Sequence, residues 1–309
     1  MIKTTDIINI GLPNPSAFAL GVFDGLHKGH REVISKVLEQ KEKGLATGIF
    51  TFAEAKTNDE FYKKDFKYIF SEKTRDRMLR KMDIDFVVSP FFSDVKHYDC
   101  QDFVDGIIVK ALNAKIVSCG SDFTFGKDAE GNVEDLKELC AKKGVEVIIT
   151  PLVKDGEEVI SSRKIRKLIE NGEMEKAAEM LCQNFFIDFE VIKGNNIGTR
   201  LLNIPTINQP FPKNHIVPKF GVYATKLEID GKTFCGATNV GVKPTFGSDK
   251  VLSETFIHGF DGELYGKEIK TEFLRFVRPE KKFESPEALK AQIEKDKLSC
   301  QNIFNEFTK

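Results

Sequence analysis

The chain has 309 residues, 41% hydrophobic and 30% charged, which suits two folded domains and excludes a disordered chain. Its 46 Lys and Arg against 47 Asp and Glu leave a formal net charge of -1, so nothing favours nucleic acid or an anionic membrane as a partner. We find no signal peptide, no apolar stretch of about 18 residues that would predict a membrane span, and no Cys-x-x-Cys pair. We therefore expect a cytoplasmic protein with reduced cysteines.

Short apolar runs alternate with amphipathic stretches through the first half of the chain. The apolar runs predict strands over residues 18–23, 46–52, 86–89, 116–119 and 145–150. The stretches between them predict helices over residues 31–43, 73–82, 103–112 and 133–143. This alternation predicts an α/β domain with helices on both faces of a parallel sheet. Such sheets bind ligands at the carboxyl ends of their strands.

The second half of the chain has a different pattern. Two helices, over residues 162–171 and 173–181, are followed by strands without helices between them. These strands are predicted over residues 186–193, 221–229, 233–240, 254–260 and 268–276. Ser285-Pro286 then predicts the start of a closing helix. We therefore predict a small antiparallel β-barrel, with domains over residues 1–183 and 184–309.

A glycine-rich turn over residues 21–30, here called the histidine turn, links the first predicted strand to a helix. His27 and His30 are three residues apart, so both imidazoles can reach one phosphate beside the N–H groups of the helix start. The alternative is a loop with two solvent-facing histidines, but the chain has only 5 histidines and two of them lie here. We therefore predict a phosphate site that includes further residues of the turn: Gly21, Phe23, Asp24, Gly25, Lys28 and Gly29.

A second cluster, over residues 160–166, also opens a predicted helix. Ser161 or Ser162 would cap this helix, and Arg166 would hold phosphates because its guanidinium fork binds them in a bidentate manner. Alone, the cluster is equally consistent with an ordinary helix start followed by surface charges. Together with the histidine turn, it predicts the other half of a nucleotide site.

A third segment, over residues 120–126, lies between these two clusters and follows an apolar run. Asp122 either binds a ligand or caps a turn. Phe125 either lines a flat ring or packs in the core. We favour the binding role for both residues.

In this order, the three motifs resemble those of the bacterial bifunctional riboflavin kinase/FMN adenylyltransferases, whose N-terminal half belongs to the HxGH nucleotidyltransferases. The resemblance implies a Rossmann-like domain that adenylylates FMN to FAD, with His27 and His30 as catalytic residues. It also implies a C-terminal domain that phosphorylates riboflavin to FMN. Substrates would be ATP, riboflavin and FMN, with Mg²⁺ as cofactor. Only small molecules are implied as partners, and the protein would be a monomer or a weak homo-oligomer.

The C-terminal half carries further motifs that resemble the family's. Residues 202–208 are similar to its Pro-Thr-Ala-Asn signature, which implies that Thr206 and Asn208 ligate magnesium beside Pro205. Ser253-Glu254-Thr255 is similar to the pair whose glutamate is the general base, which implies that role for Glu254. Without the family, these residues would be an irregular strand start and an exposed carboxylate. The other predicted contacts with substrate are Gly194, Gly198, Gly221, Tyr223 and Arg278.

Two segments depart from the family pattern. Residues 51–56 replace its Thr-Phe-x-Pro-His-Pro, and residues 181–185 replace its Leu-Gly-Arg-Pro-Tyr. Two alternatives therefore stay open beside the bifunctional enzyme. One is a riboflavin kinase whose nucleotidyltransferase domain is inactive or re-purposed, and the other is a flavin-binding regulator without turnover.

Overall fold

A parallel sheet forms the centre of the first half of the chain, and an antiparallel sheet forms that of the second half. The computed structural model describes residues 1–7, 9–54, 66–193, 206–245 and 248–308. The chain divides into two units: the first comprises Met1–Phe66 and Ser71–Ser162, and the second comprises Lys67–Phe70 and Arg163–Lys309. Within the described ranges, no helix is both long and apolar enough to cross a membrane.

The sheet of the first unit has the strand order β1-β4-β3-β2-β5-β6, and every neighbouring pair is parallel. Its strands are β1 (Ile2–Thr4), β2 (Ser16–Leu20), β3 (Ala46–Phe50), β4 (Phe86–Val88), β5 (Ala114–Gly120) and β6 (Glu146–Thr150). The helices that connect them are α1 (Lys28–Leu38), α2 (Glu72–Lys81), α3 (Phe92–Val95), α4 (Cys100–Asp102) and α5 (Val133–Ala141). β2 lies between β3 and β5, so the winding of the sheet reverses there. The carboxyl ends of β2 and β5 therefore border the place where such sheets bind ligands.

β2 is buried along its whole length, and its alternate residues face opposite sides of the sheet. Phe18 and Leu20 pack in one core cluster, and Ala17 and Ala19 pack in the other. A Cβ on Gly48 of β3 would lie 2.2 Å from the ring of Phe18, so only glycine fits there. Burial on both faces explains why this strand is continuously apolar.

The helix predicted over residues 103–112 is a π-helix over Phe103–Ala111 that continues directly from α4, so the expected α-helix is wrong. Each N–H of a π-helix bonds to the carbonyl group five residues back, and side chains four or five residues apart share a face. Phe103, Ile107 and Ile108 are buried with that spacing. Over so few residues the spacing differs too little from 3.6 to be recognised in the sequence.

In the second unit, the strand order is β10-β13-β12-β11-β14-β9, and every neighbouring pair is antiparallel. Before this sheet in the chain come the hairpin of β7 (Lys154–Asp155) and β8 (Glu158–Val159), which belongs to the first unit, and then α6 (Ser162–Asn171) and α7 (Met174–Leu181). The sheet and closing helix are β9 (Phe186–Ile187), β10 (Ile207–Pro210), β11 (Gly221–Ile229), β12 (Lys232–Thr245), β13 (Ser248–Ile257), β14 (Thr271–Pro279) and α8 (Pro286–Phe307). Ser285 caps α8 by accepting the N–H of Ala288 at 3.1 Å. The predicted fold class is confirmed: a parallel α/β sheet followed by an antiparallel sheet with a closing helix.

A segment from the first half of the chain, Lys67–Phe70, belongs to the second unit. The N–H of Tyr68 donates to the carbonyl of Asn214 at 2.8 Å, and its carbonyl accepts the N–H of Ile216 at 2.9 Å. His215 is buried beside Tyr68, with ring centroids 6.1 Å apart. Burial, and then the charge of Lys67, lowers the pKa of His215 to about 4.

This buried histidine predicts a loss of stability in acid. The unfolded chain takes up a proton at the ordinary pKa of 6.5, whereas the folded chain does so only at about 4, so unfolding is favoured as the pH falls between these values. Between about pH 7.5 and about pH 5, His215 should lower the free energy of unfolding by about 2 kcal/mol. We expect His215→Gln to remove this part of the pH dependence in urea unfolding.

Measurement at the higher pH, where His215 is neutral in both states, gives the packing cost of the substitution. Equal acid-induced losses in the wild type and the variant would contradict the prediction.

Candidate active sites

A cavity of about 970 Å³ lies in the first unit, at the carboxyl ends of β2 and β5. Many of the residues predicted from the sequence line it: Gly21, Phe23, His27, Gly29, His30, Asp122, Phe125, Ser161 and Ser162. The structure therefore brings the histidine turn, the segment 120–126 and the start of α6 to one cavity. Asp24 and Gly25 are buried within the turn and Lys28 is exposed, and these three are not among the described residues that line the cavity.

The histidine turn has a strained backbone that burial maintains. Phe23 and Leu26 have φ angles of 52° and 46°, in the left-handed region that non-glycine residues rarely adopt. Each side chain is only 1% exposed, so the apolar surface that it buries holds the chain in this conformation. Gly21 makes room for the ring of Phe23, which would lie 3.2 Å from a Cβ at that position. The turn is therefore preorganised by its own side chains.

His27 and His30 stack against each other at the cavity wall, with ring centroids 3.6 Å apart and planes inclined by 19°. His27 also caps α1, because its Nδ1 accepts the N–H of His30 at 3.4 Å. Burial, and then the proximity of His27, lowers the pKa of His30 well below its ordinary value. No described residue hydrogen bonds to Nδ1 of His30. The arrangement therefore favours hydrogen bonding by a neutral His30 over a positive charge as its contribution to binding a phosphate.

Side chains from separate elements bond to alternate carbonyl groups of the histidine turn. The hydrogen bonds run from Thr51 Oγ1 to Val22 (2.8 Å), from Ser162 Oγ to Asp24 (2.8 Å) and from Arg31 Nε to Leu26 (3.0 Å). Ser162 therefore helps to shape the site. Its predicted contact with a phosphate stays a prediction.

One wall of the cavity is aromatic, and of its residues only Phe125 was assigned to the site from the sequence. Phe52 makes edge-on contacts with Phe50 and Phe92, with ring centroids 5.9 and 5.4 Å apart. Phe103 contacts Phe125 at 5.4 Å. Such a wall suits a flat aromatic ring. α3, which carries Phe92, has too few residues to show a periodicity, so no sequence signal marked it.

A second candidate site lies on one face of the antiparallel sheet. Glu254 on β13 is directly opposite Asn208 on β10 and Asn239 on β12, so the three side chains share a face. Asn208 is 5% exposed, and no described residue hydrogen bonds to its Oδ1. A buried oxygen without a partner is costly. Asn208 Oδ1 and the hydroxyl of the half-buried Thr206, just before β10, are the kind of oxygen ligands that Mg²⁺ prefers.

Both halves of the chain match known families. Residues 10–164 match the family model for FAD synthetase, and residues 181–304 match that for riboflavin kinase. A Listeria monocytogenes protein named bifunctional riboflavin kinase/FMN adenylyltransferase is 34% identical over 93% of this chain and 91% of its own length. The chain belongs to this bifunctional family. A relative of the same name from Bacillus subtilis is 32% identical over 95% of this chain and 94% of its own length.

A solved structure also matches this chain over nearly its whole length. It is titled a macrolide-efflux protein from Streptococcus pneumoniae, and its TM-score is 0.85 at 29% identity. The match covers 97% of this chain and 98% of that one. The family recognised in the sequence motifs is thus confirmed. The functional boundary after residue 183 stays a prediction.

Several residues predicted for the kinase site have structural partners in the second unit. Tyr223 is 0% exposed, its hydroxyl donates to the carbonyl of Lys219 at 2.5 Å, and burial raises its pKa. Arg278 forms an ion pair with Asp296 of α8, at 2.9 Å from Nε and 2.6 Å from Nη2. Gly221 has a φ of 145°, and a Cβ there would lie 2.3 Å from the carbonyl oxygen of Arg278. Their direct contacts with substrate stay predictions.

Four other predicted residues are not placed at either candidate site by the described part of the structure. Arg166 is in the second unit, where its Nε donates to the carbonyl of Lys67 at 2.6 Å. Gly194, Gly198 and Pro205 lie outside the described residues.

The low pKa of His30 gives a direct spectroscopic prediction. Since burial disfavours the charged form, the imidazole signals of His30 should not titrate between about pH 8 and about pH 6 in an NMR experiment. The spectrum of His30→Gln assigns the signals. A titration midpoint at or above the ordinary value of 6.5 would contradict the neutral, hydrogen-bonding role.

Proposed function

We propose that this chain makes FAD from riboflavin in two ATP-dependent steps. The second unit phosphorylates riboflavin to FMN, and the first unit adenylylates FMN and releases pyrophosphate. One observation carries the proposal: within each matched segment, residues that are predicted to carry the reaction lie next to one another. His27 and His30 stack in the first cavity, and Glu254 lies opposite Asn208 in the second unit. A cytoplasmic location and a monomeric or weakly oligomeric state are part of the same proposal.

In the adenylyl transfer step, a phosphate oxygen of FMN attacks the α-phosphorus of ATP. The bond from that phosphorus to the bridging oxygen of pyrophosphate breaks, and pyrophosphate leaves with the electron pair. His27, His30 and the N–H groups at the start of α1 donate hydrogen bonds to the α-phosphate as its charge shifts. The aromatic wall takes a ring of the flavin or the nucleotide and excludes water.

In the kinase step, Glu254 accepts the proton of the ribityl 5′-hydroxyl while that oxygen attacks the γ-phosphorus of ATP, and ADP leaves. Asn208 and Asn239 lie directly opposite Glu254 on the two neighbouring strands. Thr206 and Asn208 would hold Mg²⁺, which supplies positive charge to the phosphate oxygens when bound.

Separate substitutions should remove the two steps independently. His30→Ala should lower FAD formation from FMN by about 10²–10³-fold, the effect of losing one donor to the reacting phosphate, and leave FMN formation unchanged. Glu254→Gln should lower FMN formation by about 10²–10⁴-fold, the value of a general base, and leave FAD formation from supplied FMN unchanged. The measurement is an HPLC time course with riboflavin or FMN, ATP and Mg²⁺.

The wild type is the control and separates the alternatives. FMN followed by FAD supports the proposal. FMN alone points to a kinase with an inactive or re-purposed first unit, and flavin binding without either product points to a regulator. A histidine variant that folds but loses both steps would contradict the division of labour.

Removal of the buried oxygen of Asn208 should have opposite effects on stability and activity. Asn208→Leu replaces an amide without a described partner at Oδ1 by an apolar group of similar shape, so the free energy of unfolding should rise by about 1 kcal/mol. Kinase activity should fall and need more Mg²⁺ for its half-maximal rate, because one oxygen ligand is lost. FAD formation from FMN is the internal control. A variant with an unchanged Mg²⁺ dependence would contradict the assigned ligand.

A further inference from the structure

Arg75 is a buried cation beside the histidine turn to which the mechanism above assigns no role. It lies on α2 and is 5% exposed. Its Nη2 donates to the carbonyl of Phe52 at 3.0 Å, and its Nη1 lies 3.4 Å from the carbonyl oxygen of Val22 and 3.5 Å from Oγ1 of Thr51. Val22 follows β2, Phe52 follows β3, and both residues line the cavity. The guanidinium therefore bridges the ends of two strands at the rim of the candidate adenylyl transfer site.

The stability of the fold alone does not explain a guanidinium in this position. Its hydrogen bonds go to neutral oxygen atoms, and no described residue accepts one from Nε. The charge of Arg75 interacts electrostatically with the carboxylates of Glu54 and Glu72, but none of the hydrogen bonds given above goes to a carboxylate. A well-packed apolar side chain would fill such a place at a lower desolvation cost. The fork geometry is thus the property that this position uses.

The start of α2 is fixed in a way that presents Arg75 to the strand ends. The N–H of Glu72 donates to Glu54 Oε1 at 2.6 Å, and the N–H of Glu54 donates to Glu72 Oε2 at 2.9 Å. Lys3 forms ion pairs with both Glu72 and Asp76. Residues three apart share a helix face, so a fixed Glu72 also fixes the direction of Arg75. The first turn of α2 is therefore tied to the residues that follow β3.

The carbonyl of Val22 is where this contact acts on the chemistry. Val22 directly precedes Phe23, the first residue with a left-handed backbone in the histidine turn that carries His27 and His30. Thr51 Oγ1 donates to the same carbonyl, so two side chains hold one oxygen. We infer that Arg75 is a positioning residue for adenylyl transfer: it fixes the Val22 carbonyl against the end of β3 and thereby sets where the two histidines meet the α-phosphate. This inference rests on the proposed function of the first unit.

The test compares Arg75→Lys, Thr51→Val and the double variant, with Arg80→Lys as the matched control. Arg80 is on the same helix but exposed. Arg75→Lys keeps the charge and loses the fork, so kcat for FAD formation should fall by roughly 10²-fold, as expected when reacting groups move by about 1 Å. The KM for ATP should change less than about threefold. If both side chains act through Val22, the effects of the single variants on kcat should not multiply in the double variant.

Each outcome decides the inference. It is supported if kcat falls without a matching change in KM or in the midpoint of thermal unfolding, and if the double variant shows coupling. It is overturned if Arg75→Lys matches Arg80→Lys, if the two substitutions multiply independently, or if activity is lost only in step with stability. If Arg75→Lys does not fold, Thr51→Val decides through the same kcat and KM readouts. A wild type that forms no FAD contradicts the proposed function and this inference with it, whereas an active wild type with an active variant contradicts this inference alone.

Discussion

The first unit depends on holding one strained turn at the end of its central strand. Left-handed backbone at two non-glycine residues, Phe23 and Leu26, costs on the order of 1–3 kcal/mol each, and burial of both side chains offsets that cost. β2 lies between two parallel neighbours and is buried on both faces, so the turn emerges from a strand that cannot fray. The stacked His27 and His30 then follow from the geometry of the turn, since His27 is both a member of the pair and the cap of α1.

In the second unit, strand register takes the place of a strained turn. Glu254 lies between two amides only because β10, β13 and β12 pair in one register. A slip by one residue would move Glu254 to the opposite face, where Thr238 and Thr255 share a buried hydrogen bond of 2.8 Å between their hydroxyls. A carboxylate on that buried face would be desolvated at a large cost. The buried face lined by threonine hydroxyls therefore fixes the strand register, and the register fixes the position of Glu254.

The sequence motifs predicted features whose residues are close together in the sequence. They did not predict contacts between residues that are far apart in the sequence. The histidine turn and the N-cap of α8 were recognisable because their residues lie within ten positions of one another. The place of Arg75 was not, since its partners at Val22 and Phe52 lie more than twenty positions away and meet it only after the sheet forms. The docking of residues 67–70 in the second unit was missed for the same reason. Gly194, Gly198 and Pro205 lie outside the described residues, so those predictions stay as they were.

Each candidate site includes buried polar atoms that have no hydrogen-bond partner among the described residues. His30 Nδ1 and Asn208 Oδ1 have no hydrogen-bond partner among the described residues, and the N–H at Arg75 Nε has no described acceptor. All three atoms belong to groups that border or shape these sites. Such atoms lower the stability of the fold, so the packing of the surrounding residues must offset their cost. Each unit has its own sheet and core clusters, so the cost of one site falls on a separate set of packed residues. Two cores in one chain thus allow the two sites to be tuned separately, because substitutions without shared partners act additively on stability.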